Sequence, residues 1–136
     1  VTLGRQDLVA VLSRGHAASH ASDGRISVGA LADLPLVTAP PTTASYRQLE
    51  EALAARGRTL HPAVATIHRD TIVSLVRAGA GAAVVPRLVA ESGPSAGVAV
   101  VEIEPPIRRR VGLVHRDGVL SPAARACVDL ARELLG

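Results

Sequence analysis

Apolar and polar positions follow two rhythms along the chain, a run-like one and a helical one, and the two take turns. The segment from Asp7 to Ser13 is almost continuously apolar and stops at Arg14-Gly15. With no polar face, it predicts a strand buried on both sides. Residues 16–26 are polar and glycine-bearing and read as a loop. Ser27 is placed to cap a short helix over 28–33, and 35–38 reads as a second strand ended by Pro40-Pro41. The clearest helix follows. Ser45 and Gln48 have the spacing of a capping box, Tyr46, Leu49 and Leu53 share a face, and Gly57 suits the left-handed closing position.

The alternation continues to the carboxyl terminus. Residues 62–67 predict a third strand. Asp70 is placed to cap a helix with the stripe Ile72, Leu75 and Val76, which Gly79 closes. Residues 81–85 form a fourth strand halted by Pro86, with one helical turn over 87–92 and a turn-rich connector over 93–97. Strands over 98–103 and 110–115 flank the Pro105-Pro106 break. Ser121-Pro122 starts a last helix, with Ala123, Cys127, Leu130, Ala131 and Leu134 along its apolar side, so Cys127 reads as core. Strand–helix alternation of this kind predicts an α/β fold with a parallel-rich sheet covered by helices.

Composition narrows the function. The chain has 136 residues, 48% of them apolar, which suits one compact domain or part of a larger one. The fifteen basic residues are all Arg, against twelve acids, for a net charge of +3. They are scattered apart from Arg108-Arg109-Arg110, which reads as a solvated loop or strand edge rather than a nucleic-acid face. With Tyr46 as the single aromatic residue, base-stacking platforms have nothing to be built from. One cysteine forms no internal disulfide, which points to the cytoplasm, and no apolar run is long enough for a membrane span.

In parallel-rich α/β folds, ligands sit at the carboxyl ends of strands, where helices begin. Two places fit: Thr42, Thr43 and Ser45 after the second strand, and His68, Asp70 and Thr71 after the third. Hydroxyls beside the unpaired N–H groups of helix starts favour an anionic ligand such as a carboxylate. The same residue types also serve as plain helix caps, and both readings stand on spacing alone. His68 reads either as a ligand or pH-sensing group or as a surface imidazole. His16 and His20 have i, i+4 spacing, but a loop there and the lack of a third ligand argue against a metal. Gly79-Ala80-Gly81 closes a helix and opens a strand, the reverse of a dinucleotide-binding turn. No catalytic motif and no carboxylate pair is present, so neither catalysis nor a cofactor is expected.

The stretch Leu75-Val76-Arg77-Ala78-Gly79-Ala80-Gly81-Ala82-Ala83-Val84-Val85-Pro86 resembles the "LV-x-A-G-x-G-x-x-x-x-P" segment of the effector-binding domain of LysR-type transcription regulators. Leu8 to His16 is similar to that family's hinge strand and "GHP" loop, although Ala17 stands where proline is usual. Residues 31–37 resemble "L-x-D-L-P-L-I", and Leu120 to Ala126 the final "LSPAA" helix. The resemblance implies a type II periplasmic-binding-protein-like fold, with a small effector held between two lobes. It assigns residues 1–15 to a hinge strand from the first lobe, 16–105 to the second lobe, and 106–136 to the return strand and closing helix of the first. It places the pocket at Thr42, Thr43, Ser45, His68, Thr71 and the backbone around Val85 and Pro86. It further implies a homodimer and an amino-terminal winged helix-turn-helix that binds DNA, neither it nor the start of the first lobe being in this sequence. A solute-binding protein of transport shares the fold and is the alternative.

Overall fold

The computed structural model describes residues 1–92 and 96–135; the connector expected over 93–97 lies largely outside the described residues. The chain divides into two compact units, residues 7–107 and residues 1–6 with 108–136.

The larger unit is organised by strand β1 (Thr2–Ser13) from Asp7 onward. Residues Leu8 to Leu12 are all essentially inaccessible to solvent, as a strand with no polar face must be. Alternation sends Leu8, Ala10 and Leu12 to one core and Val9 and Val11 to another. The first core is completed by α2 (Val28–Ala32) and α3 (Ala44–Ala54), through Val28, Leu31, Tyr46, Leu49 and Leu53. The second is completed by α4 (Ile72–Arg77) and α5 (Arg87–Glu91), through Ile72, Val73, Val76 and Ala90.

β1 runs antiparallel to both of its neighbours, pairing Val9 with Val85 of β5 (Ala83–Pro86) and with Glu102 of β6 (Val98–Glu104). The short β2 (Arg25–Ser27) adds in parallel to β6. β3 (Leu36–Thr38) and β4 (Pro62–Ala65) form a parallel pair, joined to β5 through a parallel bridge between Leu36 and Ala82. The helix-linked strands are thus parallel, as the alternation predicts, and β1 is the reversed strand among them. Because β3, β4 and β5 run the same way, their carboxyl ends lie on one edge.

Residues 16–26 depart from the expected loop. Arg14–His20 form a helix, α1, whose cap is Ser13: its side chain accepts from the His16 N–H at 3.2 Å. Its small apolar side, Ala17 with Ala21 beyond its end, packs on the first core, too weak a stripe to stand out beside Gly15 and two histidines.

In the smaller unit, β7 (Arg108–Gly112) pairs with β1, and the Val1 amino group donates to the Leu113 carbonyl at 2.9 Å while the Leu113 N–H returns a bond to Val1 at 2.8 Å. Arg109 donates twice to the Gln6 side-chain oxygen. The last helix, α6 (Pro122–Leu135), starts as expected, with Ser121 accepting from Ala124. Cys127 is exposed, not core, and Leu130, Leu134 and Leu135 are 54%, 71% and 61% accessible. Val128 is the buried residue of α6. The small unit has too few apolar residues to cover the stripe that the helical period lays down. Among the described residues, no helix is long and apolar enough to cross a membrane.

Gly81 holds the β5 start against β3. Its φ is +152°, and a Cβ there would meet the Pro35 carbonyl oxygen at 2.3 Å, because the Ala82 N–H bonds that same carbonyl at 2.8 Å. Gly81→Ala is expected to lower unfolding free energy by roughly 2–4 kcal/mol. Gly15→Ala, in α1 with nothing within 4 Å, is expected to leave it unchanged or raise it by about 0.5–1 kcal/mol. Urea denaturation followed by circular dichroism checks both.

Candidate functional site

The parallel ladder brings the two expected helix starts to one edge. Thr38 ends β3 and is level with Ala65 at the end of β4, and the Thr66 N–H donates to the Thr38 carbonyl at 2.9 Å. On the other side of β3, the Val37 N–H donates to the Ala82 carbonyl at 2.8 Å, so β5 leaves in the same direction toward Val85 and Pro86. Three successive strands at ordinary spacing place the three carboxyl ends within about 10 Å.

Of the residues expected there, Thr42 is exposed and precedes the α3 cap. That cap is Thr43, not Ser45: its oxygen accepts from the Tyr46 N–H at a long 3.4 Å and donates to the Pro40 carbonyl at 2.7 Å. Ser45 lies inside the first turn and is half-buried. The helix begins two residues sooner than a Ser45 cap requires, because the Thr43 hydroxyl and backbone N–H both close a turn onto Pro40. Helix geometry leaves the Ala44 and Ser45 N–H groups with no partner inside the helix, and α3 is 11 residues long, enough for a substantial dipole.

The β4 side is a looser structure. His68 is exposed, its N–H donates to the Thr66 hydroxyl at 3.1 Å, and its carbonyl accepts from the Thr71 hydroxyl at 2.7 Å. Residues Arg69–Thr71 form a 3-10 turn before α4, and Asp70 sits in it without capping the helix. Val85 and Pro86 are buried at the β5 end, with Val85 packed into the second core. They offer backbone, not side chains, to a ligand. Arg87 follows at once and pairs with Glu102 and Glu91; the hydrogen bond and charge of Glu102 raise its pKa further, so it is a fixed positive charge next to the edge.

One group at this edge has no signal in the linear pattern. The Thr38 hydroxyl is buried, with the residue 5% accessible, and has no hydrogen-bond partner. An unpaired buried hydroxyl costs about 1–3 kcal/mol, so such groups are rare and each calls for a reason. In the sequence, Thr38 reads only as the last residue of a strand.

The comparisons with known proteins show the family and the fold. The LysR substrate binding domain family matches residues 1–136. The chain is 33% identical over 114 residues to the HTH-type transcriptional regulator IlvR of Caulobacter vibrioides, covering 82% of this chain and 38% of that protein. The chain belongs to the LysR substrate-binding domain family. It is similar in structure to the CcmR regulatory domain of Synechocystis solved with 2-PG, with a TM-score of 0.81 at 17% identity over 99% of this chain and 65% of that one. It is likewise similar to the effector-binding domain of QuiR solved with shikimate, with a TM-score of 0.78 at 21% identity over 99% of this chain and 64% of that one. The type II periplasmic-binding-protein-like fold implied by the motifs is the fold of this LysR domain. It spans well under half the length of the curated regulator it matches.

Depressions found among the described residues lie apart from Thr42, Thr43, Ser45, His68 and Thr71, although Asp70 lines one of them. A broad open one of about 630 Å³ is lined by His20, Asp23, Arg25 and Glu104, and holds the exposed Arg25–Glu104 ion pair. His16 and His20 do share a face of α1, with ring centroids 6.0 Å apart, and no group of three metal-ligating side chains occurs among the described residues.

Replacing the cap separates the two hydroxyls. Thr43→Ala is expected to cost about 1 kcal/mol and Thr43→Ser almost nothing, while Ser45→Ala stays within about 0.5 kcal/mol. Chemical denaturation of the three variants checks the assignment of the cap.

Proposed function

We propose that this chain is the effector-sensing part of a LysR-type transcription regulator, and that it binds a small anionic molecule where β3, β4 and β5 end. The observation that carries this reading is the meeting of those parallel strand ends with the start of α3. Two unpaired helical N–H groups, the helix dipole and the adjacent hydroxyl of Thr42 face an anion, with His68, the Thr71 side chain that bonds the His68 carbonyl, and the backbone of Val85 and Pro86 around it. Relatives of the same family solved with 2-PG and with shikimate support small-molecule sensing, and the curated relative is a regulator rather than a transport protein or an enzyme.

In the intact protein, the effector acts by favouring one conformation over another. Any preference it has for one arrangement of the regulator is returned as a change in DNA affinity of equal size. DNA is bound by a region outside this chain, the regulator works as a homodimer in the cytoplasm, and the domain itself carries out no reaction. The dispersed acids and the single exposed cysteine are consistent with a binding role.

Thermal denaturation of the intact protein with a panel of small carboxylates tests the reading. An effector at one hundred times its Kd is expected to stabilise by about 2.7 kcal/mol and to raise the melting temperature by several degrees. His68→Ala and Thr71→Val are expected to weaken that shift. Equal shifts from the uncharged amides of the same acids would sink the anion assignment.

A further inference from the structure

We infer that the Thr38 hydroxyl is a ligand contact, and that the effector is a small carboxylate bearing a second hydrogen-bonding group, a hydroxyl or a carbonyl. This rests on the anion-binding reading of the same edge. Every other hydroxyl that follows β3 and β4 in the two loops and has a described bond is engaged within the protein: Thr43 with Pro40 and Tyr46, Thr66 with His68, Thr71 with His68. Thr38 is buried deeper than these and has no partner. Folded proteins rarely keep a buried hydroxyl unpaired unless something else uses it.

Its direction follows from the strand. Leu36 belongs to the core that holds Tyr46, Leu49 and Leu53 of α3, and Val37 belongs to the opposite core. Alternation returns Thr38 to the α3 side, one step nearer the start of that helix. The irregularity in the β3–β4 ladder adds Ala63 to β4 and leaves the β3 alternation intact. A carboxylate held by the Ala44 and Ser45 N–H groups therefore lays the rest of the ligand toward the strand end. There a hydroxyl or carbonyl completes the Thr38 hydrogen bond, whereas a ligand with only methylene groups leaves it unpaired. The hydroxyl oxygen is shielded from solvent in the ligand-free state, so the atoms that cover it must be displaced as the ligand reaches it.

Calorimetric titration of the intact protein with lactate, pyruvate, glycerate and malate, set against propionate and succinate, tests this. The hydroxy and oxo acids are expected to bind at least about tenfold more tightly than their plain counterparts. Thr38→Val abolishes that preference and leaves weak carboxylate binding, Thr38→Ser retains it, and Thr38→Val melts no lower than the parent when ligand-free. A preference that survives in Thr38→Val overturns the inference, as does a lower melting temperature for Thr38→Val with affinity unchanged. Carboxylates that bind without regard to the second group overturn it while leaving the anion reading in place. If no carboxylate binds the parent protein, both fall together.

Discussion

The segment Leu8 to Leu12 is packed on both faces at once, and each neighbouring strand takes its register from it. Even-numbered side chains enter the core under α2 and α3, and odd-numbered ones the core under α4 and α5. A shift of β1 by one residue exchanges the two sets, placing leucines where valines fit and the reverse, so the register is strongly specified. Truncating Leu8 or Leu12 opens a cavity in a region that cannot collapse, a loss of about 2–5 kcal/mol for each. The edge where β3, β4 and β5 end inherits its geometry from this strand: β5 is fixed on β1, β3 is fixed on β5 through the Leu36–Ala82 bridge, and β4 is fixed on β3.

This chain of dependence explains how an edge with few charged side chains is built. Its elements are backbone ends and hydroxyls whose positions follow from parallel strands ending together. Gly81 lets β5 approach Pro35 closely enough for the bridge to form. The Thr43 turn onto Pro40 then aims α3 across the edge. The helix start and an arginine held in place by Glu102 put positive potential at this edge, the exposure of that ion pair limiting its worth to stability. The proposed anion site thus rests more on geometry than on net charge, as is usual where peptide groups recognise a small anion.

Stability is distributed unevenly between the two units. The larger has two cores on either side of β1, and its helices bury their apolar stripes. In the smaller, α6 keeps Leu130, Leu134 and Leu135 largely in solvent and buries Val128. An amphipathic stripe left in water contributes little to the stability of its own unit.

The sequence alone determined the alternation of strands and helices from residue 27 onward, the burial of residues 8–12, the closing glycines at 57 and 79, the Ser27 and Ser121 caps and the family, because each is written in local period, turn chemistry or short motifs. It also determined which two loops carry hydroxyls at helix starts. Only the tertiary structure decided that residues 14–20 are helical, that Thr43 and not Ser45 is the cap, that Asp70 caps nothing and that Cys127 is exposed. These depend on what each segment packs against or turns back upon, which no local pattern records. The same holds for Thr38: a threonine at the end of a strand is ordinary in sequence, and only the packed fold buries its hydroxyl without a partner.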